Sequence, residues 1–490
     1  MAVIIAVCML PLTGCGSTLN KISIGLDAFP YTLDPQLEAQ QSGASVFGFL
    51  FSGLLQYGKD GMLRPDVAEQ FYFSDDGRKL TFILRTDRFW QDGSQVTSYD
   101  FEYAIERILI PETGSSYAKV LFSITGAGAF YNKTAAKIAG ISCPDKSTLI
   151  FSLDYTDEMF LYAFAEPWLS PCNKAFFTAA GGSYGMTAAK TLFNGPYAVY
   201  SRNDTLIVLK KAEYAEKTLP GSVTFYKSSD ISEKELASRI NSKKTVMAIS
   251  DRELDIRSGI ETERIDDLTW AISFGVGVNT AGRDELLRLA LAYGGFGELQ
   301  QQNQITNLMP AAYSGFFLSK PQSARASDNE AAKGLLSTLL ANYKLSSLPT
   351  ITLLVPDEEE ARALSDELVQ LWQKNISVFV TREYYSRAKI RSLMKNGDYD
   401  AALIPVEYTQ STPVAFYKDL CTQIGAYEAV TAQLDAIQAY SEQEFAKAAE
   451  QLIFDSRRIF PVQKGGIFVY SDSKLEHIYY NRRAGIVDLE

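Results

Sequence analysis

The stretch from Ala68 to Leu109 constrains this chain more than any other. Asp76-Gly77 is a hairpin turn signal, because Gly accepts positive φ at no steric cost. Leu80 to Leu84 is apolar and β-rich and reads as a strand. Gln91-Asp92-Gly93-Ser94 is another turn. Thr97, with Asp100 three residues on, makes a capping box. Phe101, Ala104, Ile105, Ile108 and Leu109 then fall at i, i+3, i+4, i+7 and i+8, which predicts a helix with one buried face. Pro111 ends it.

The chain has 490 residues, too many for one simple core, so two or three domains are expected. A net charge of −11 argues against a nucleic-acid partner, whose phosphates demand a basic face. Residues 2–12 are an apolar run too short to span a bilayer, and they fit the core of a secretory signal peptide. Leu12-Thr13-Gly14-Cys15 follows and resembles the bacterial lipobox. The resemblance implies removal of residues 1–14 and a lipid on Cys15, with two acyl chains needed for firm anchoring. No Lys or Arg precedes Lys21. Cys143, Cys172 and Cys421 remain. Export permits a Cys143–Cys172 disulfide, but three buried thiols fit the sequence equally. No Cys/His cluster exists to hold zinc.

Lys21 to Leu26 reads as a first strand and Val46 to Leu55 as a helix. Ser147 to Leu153 is a strand and Phe160 to Phe164 a helix ending near Pro167. Further on, Asp284 to Tyr293 and Ala331 to Leu340 read as helices and Thr350 to Val355 as a strand. The next helix opens at Pro356-Asp357-Glu358, and Ala361, Leu364, Leu368, Leu371 and Trp372 form its apolar face. A strand over Ile376 to Val380 completes a β-α-β unit, so its two strands should be parallel. Residues 432–456 are helical.

The order and spacing of the 68–109 stretch resemble the signature of the peptide-type, family 5 solute-binding proteins of ABC transporters. Further segments match in the family's order: Tyr31-Thr-Leu-Asp-Pro35, Phe51-Ser52-Gly53-Leu54, Phe193-Asn194-Gly195-Pro196-Tyr197, Trp270 to Thr280, Asn396 to Ile404 and Phe460-Pro461-Val462. The resemblance implies an α/β, two-lobed periplasmic-binding-protein-like fold of class II, with three subdomains and a ligand cleft between the lobes. Lobe 1 would comprise residues 16–270 plus 461–490, with an inserted subdomain at about 55–190, and lobe 2 residues 271–460. Hinge strands are expected near 194–200, 270–280 and 460. The implied role is capture of a short peptide by a monomeric lipoprotein at the outer face of the membrane and its delivery to an ABC permease. A non-peptide solute, or ligand sensing without import, is the alternative.

By the same resemblance the cleft is lined by Glu38 to Gln41, by Ser116 and Tyr117, by the loop near Asn194, by the segment Val406-Glu407-Tyr408-Thr409, and by the return strand near Gln463. Peptide binders usually carry Trp at the position of Val406 and, at that of Thr409, an Asp that pairs with a peptide's α-ammonium. A desolvated ammonium wants a carboxylate, so the Thr weakens that subsite, and Glu407 can substitute only if the loop shifts. Catalysis is not expected. His477 is the only imidazole and reads as a surface or strand-edge residue. Asp357-Glu358-Glu359-Glu360 reads as a solvated helix start, where the macrodipole favours anions. Gly181-Gly182 lacks the Gly-Lys-Ser/Thr of a phosphate loop. No cofactor is implied, and near-absence of imidazole disfavours nickel.

Overall fold

The computed structural model describes residues 20–489 except 27, 38–40, 116, 156–159, 252, 276–283, 297–298, 300–306, 311–327, 398, 408–412, 425–427, 438–441, 473–474, 476 and 483–484. A ten-stranded mixed sheet organises the chain. Across it the strands run Val380–Tyr385, Ile351–Pro356, Ala401–Glu407, Ile260–Phe274, Ile459–Asp472, Met247–Ser250, Lys21–Leu26, Ser222–Lys227, Leu206–Lys211 and Tyr197–Arg202. At one end, Ile351–Pro356 is parallel to both of its neighbours. Towards the other, Lys21–Leu26 is parallel to both of its own. The two halves meet where Ile260–Phe274 crosses outward and Ile459–Asp472 returns, paired antiparallel.

The cores follow this division. Ile265 and Val469 pack with Ile24, Phe49 and Phe225. Farther along the same two strands, Leu268, Trp270, Ile272, Phe274, Phe460 and Val462 pack with Leu353, Leu368 and Trp372. The far face of that half is filled by Ile390, Val406, Tyr417 and Ile453. A further body, with a core drawn from residues 54–192, is built on an antiparallel sheet in the order Ala68–Phe73, Lys79–Leu84, Thr148–Ser152 and Ile141–Asp145.

The 68–109 stretch folds as its sequence dictates. Gly77 turns the hairpin at φ 66°. The Asp100 carboxylate accepts the Thr97 backbone N–H at 2.8 Å and its hydroxyl at 2.9 Å, opening helix Ser98–Leu109. The helix Glu359–Ile376 buries the five apolar side chains named above, and its flanking strands are parallel.

Four boundaries differ. The helix expected over Val46 to Leu55 is Gln41–Leu50, after which Leu55–Tyr57 is a strand. The strand expected over Ile376 to Val380 is Val380–Tyr385; Ile376 is the helix's last residue, and Ser377 at φ 55° is its left-handed cap. Residues 432–456 contribute to two helices, Glu428–Asp435 and Glu442–Asp455. Tyr197–Arg202 is no hinge, because it pairs only with Leu206–Lys211 at the sheet's outer edge. Cys143, Cys172 and Cys421 are free thiols, and burial raises the last to about 12.

Two buried charges hold elements together. Arg107, on the edge of its helix's apolar stripe, bonds Asp34 at 2.5 Å and 3.3 Å and Gln36 at 2.5 Å, and its guanidinium lies 4.1 Å from the Phe177 ring centre. This fixes the loop after the first strand to helix Ser98–Leu109. In the other half, Glu450 accepts the Tyr417 hydroxyl at 2.6 Å and the Leu308 backbone N–H.

Removing one partner of a buried pair strands the other charge. Arg107→Leu is expected to cost about 3–5 kcal/mol in urea unfolding, and Asp34→Asn added to it should recover part of the loss. A loss below about 1 kcal/mol would show the pair to be dispensable. Burial pushes Glu450 up to about 7 from an ordinary 4.5. Between those values the folded chain holds a proton that the unfolded chain has released. Stability should therefore fall as pH rises through that window, by on the order of 3 kcal/mol, and this contribution should be flat above it. Unfolding free energies at about pH 5 and about pH 8 test this, and Glu450→Gln should reduce the slope to what remains from the buried Asp488, which burial raises to about 6.

Candidate functional site

In α/β sheets, ligands sit in the crevice outside the carboxyl ends of the parallel strands. Here two sets of such ends face each other. Register fixes this: Glu407, the end of one parallel strand, lies opposite Leu268, and Leu268 lies opposite Gly465. From the other half, Ser250 lies opposite Phe468, and Lys21–Leu26 runs parallel to Met247–Ser250. Both sets therefore point at residues 265–268 and 465–467 of the crossing strands.

At that level the crossing strands slip register, from Ile265 opposite Ile467 to Leu268 opposite Gly465. A Cβ on Gly466 would lie 2.1 Å from the Ile265 carbonyl oxygen, so only glycine fits. Such bulges bend and twist a strand pair, and they are common beside binding sites.

Opposed residues of an antiparallel pair share a face. Leu268 opposes Glu407, and Trp270 opposes both Pro405 and Gln463. Glu407 and Gln463 thus lie on one face, over Trp270. Gln463 is half-buried there, whereas Val406 alternates to the other face and is packed in its core. Glu407 is ion-paired. Arg387 Nη1 reaches Glu407 Oε1 at 2.5 Å, while Nε and Nη2 bond Glu358 Oε1 and Oε2 at 2.6 Å and 2.7 Å. Burial opposes the Arg387 charge, but the two carboxylates outweigh it and hold the pKa above its ordinary value. The acidic helix start is therefore engaged rather than merely solvated. Glu358 holds Arg387, Asp357 holds Arg362, and burial raises the carboxyl pKa of Glu360 above its ordinary range.

Asn194 and Tyr117 are the other expected site residues whose side chains the structure describes. Asn194 spends its side chain on the Ser52 backbone, donating to the carbonyl at 2.9 Å and accepting the N–H at 3.2 Å. Its neighbour Gly195 donates to the Leu50 carbonyl at 2.9 Å and sits so close that a Cβ would come 2.5 Å from that residue's carbonyl carbon. Tyr117 is buried and stacked on Trp168, with ring centres 4.6 Å apart. The Trp168 carbonyl accepts from Gln36 in the loop after the first strand. Gln41 opens helix Gln41–Leu50, but its side chain lies outside the described residues, as do Cys15, Glu38, Ser116, Tyr408 and Thr409.

Sequence reasoning missed Arg387 and did not connect Glu358 with Glu407. One signal was available: Arg387 is the first residue of helix Arg387–Lys395, where the macrodipole disfavours a cation. Two cavities of about 540 and 510 Å³ lie away from this edge, one against helix Glu233–Asn241 and one beside Tyr479 to Arg482. Among the described residues no cluster could hold a metal ion, and no helix is long and apolar enough to cross a membrane.

Known proteins share this architecture. The chain is 28% identical over 374 residues to the periplasmic murein peptide-binding protein MppA of Escherichia coli, covering 72% of this chain and 68% of that one. It is 26% identical over 201 residues to a dipeptide-binding protein of Lactococcus lactis, a match that spans 40% of this chain and 36% of the relative's length. The solved structure of Listeria monocytogenes OppA bound to peptide superposes with a TM-score of 0.74 at 20% identity, covering 96% of this chain and 99% of that one. The model of the family described as bacterial extracellular solute-binding proteins, family 5 Middle, matches residues 62–427, and the chain belongs to that family.

Proposed function

We propose that this protein captures short peptides outside the cytoplasmic membrane and hands them to the permease of an ABC importer. The observation that carries the reading is the meeting of two sets of parallel-strand carboxyl ends at one level of the crossing strands, in a family of extracellular solute-binding proteins whose relatives include peptide binders. In this reading lobe 1 comprises residues 16–270 plus 461–490, with the body at about 55–190 inserted, and lobe 2 residues 271–460. The protein acts as a monomer tethered through a lipid on Cys15, and it has no catalytic role.

The mechanism follows from the crossing strands. A ligand touching both carboxyl edges binds the closed arrangement better than the open one, so it shifts the population towards closure. The bend is placed at the glycine bulge, where the pair is already irregular.

Small-angle scattering of the full chain with a defined mixture of di- to pentapeptides should show compaction. No compaction, with no peptide retained in native mass spectrometry, would remove the peptide reading. Gly466→Val must push the strands apart and should cost about 1–3 kcal/mol of stability while weakening compaction. In cells, Cys15→Ser should release the protein from the membrane fraction, and retention of the variant would rule out the lipid tether.

A further inference from the structure

We propose that Glu407 is the specificity-determining carboxylate of this cleft, held in place by Arg387 and Glu358, and that it selects peptides carrying a cationic side chain, an ammonium or a guanidinium. The inference rests on the cleft being the peptide site proposed above, and it names the chemistry that site prefers.

Charge and geometry carry the argument. One guanidinium is shared by two carboxylates, which leaves one negative charge in excess. Glu358 uses both oxygens on Arg387. Glu407 uses only Oε1, and its other oxygen has no partner among the described residues. That carboxylate is the last residue of its strand, at the edge the crevice faces, and its side chain is 42% exposed. Other charges nearby do not cancel the excess. Arg264 is matched by Asp266, and Arg362 by Asp357. Lys464 lies opposite Thr269, so it projects from the other face of the pair.

Helix stability does not explain the arrangement. Ser386 already caps helix Arg387–Lys395, its hydroxyl accepting the Lys389 N–H at 3.3 Å. A cation as first residue is on the wrong side of the dipole. Half-exposed ion pairs add little to folding. What the fork does provide is a carboxylate with a fixed oxygen, because a planar guanidinium holds its partners in a set geometry. A cation arriving at the free oxygen completes the charge balance without displacing Arg387.

Calorimetric titration of the full chain with Ala-Lys-Ala, Ala-Glu-Ala, Ala-Ala-Ala and N-acetyl-Ala-Ala-Ala tests this. A preference of about tenfold or more for Ala-Lys-Ala over Ala-Glu-Ala supports a side-chain cation as the selected group. A loss of about tenfold or more on acetylation, with Ala-Lys-Ala and Ala-Glu-Ala bound alike, overturns the inference, because the terminal ammonium is then the group recognised. Glu407→Gln should bring Ala-Lys-Ala and Ala-Glu-Ala within about threefold of each other, and Glu407→Asp should keep part of the preference. If the wild-type chain binds all four within about threefold, or if Glu407→Gln keeps the full preference, the inference is overturned and the peptide reading stands. If no peptide binds, both fall together.

Discussion

The antiparallel pairing of Ile260–Phe274 with Ile459–Asp472 is where the sheet passes from one half to the other. On one face the side chains of each strand pass from one core to another, between Ile265 and Leu268 and between Val462 and Val469. A sheet resists shear along its hydrogen bonds but bends where the ladder is interrupted, and the interruption here coincides with the change of core. The same irregular level is where the parallel strands of both halves end. The level of the strand ends and the first of the pair's two register shifts are thus one consequence of pairing, not two independent features.

The fold was legible where the sequence carries strong local period. Helix Ser98–Leu109 and helix Glu359–Ile376 each show an apolar stripe at helical spacing with a charged or capping start. Strand Val380–Tyr385 was misplaced because it is an edge strand, so Thr381, Arg382 and Glu383 need not be apolar, while the apolar run before it belongs to a helix end and its left-handed cap. Strand Ile260–Phe274 was recognised only in its apolar second half, since its first half is largely solvated. The site was less legible. Glu407 and Gln463 share a face only through pairings that join distant segments, and a cation at a helix start marks Arg387 as unusual without naming Glu358 and Glu407 as its partners.

The Phe193 to Tyr197 motif joins two segments that are distant in sequence. Asn194 supplies to Ser52 both bonds that a neighbouring strand would give, and Gly195 lets the backbone close on Leu50. Phe51 and Phe193 then meet edge to face, 5.5 Å between ring centres. The two motifs are separated by the whole inserted body, so their contact is what ties the start of that insertion to its end. Arg107 adds a second tie from within the insertion to the loop after the first strand. Both joints use buried polar side chains.

The place of Ile459–Asp472 in the sheet has a further consequence, for the order of assembly. It lies between Ile260–Phe274 and Met247–Ser250, yet it is the last of the ten strands in the chain. Until it arrives, the sheet can exist only as two separate pieces, each with an unpaired edge, and such edges are prone to mispairing. A chain emerging N-terminus first, from a ribosome or through a membrane pore, therefore cannot lock its native structure before residue 459 is out. Only that late strand joins the two pieces into one sheet.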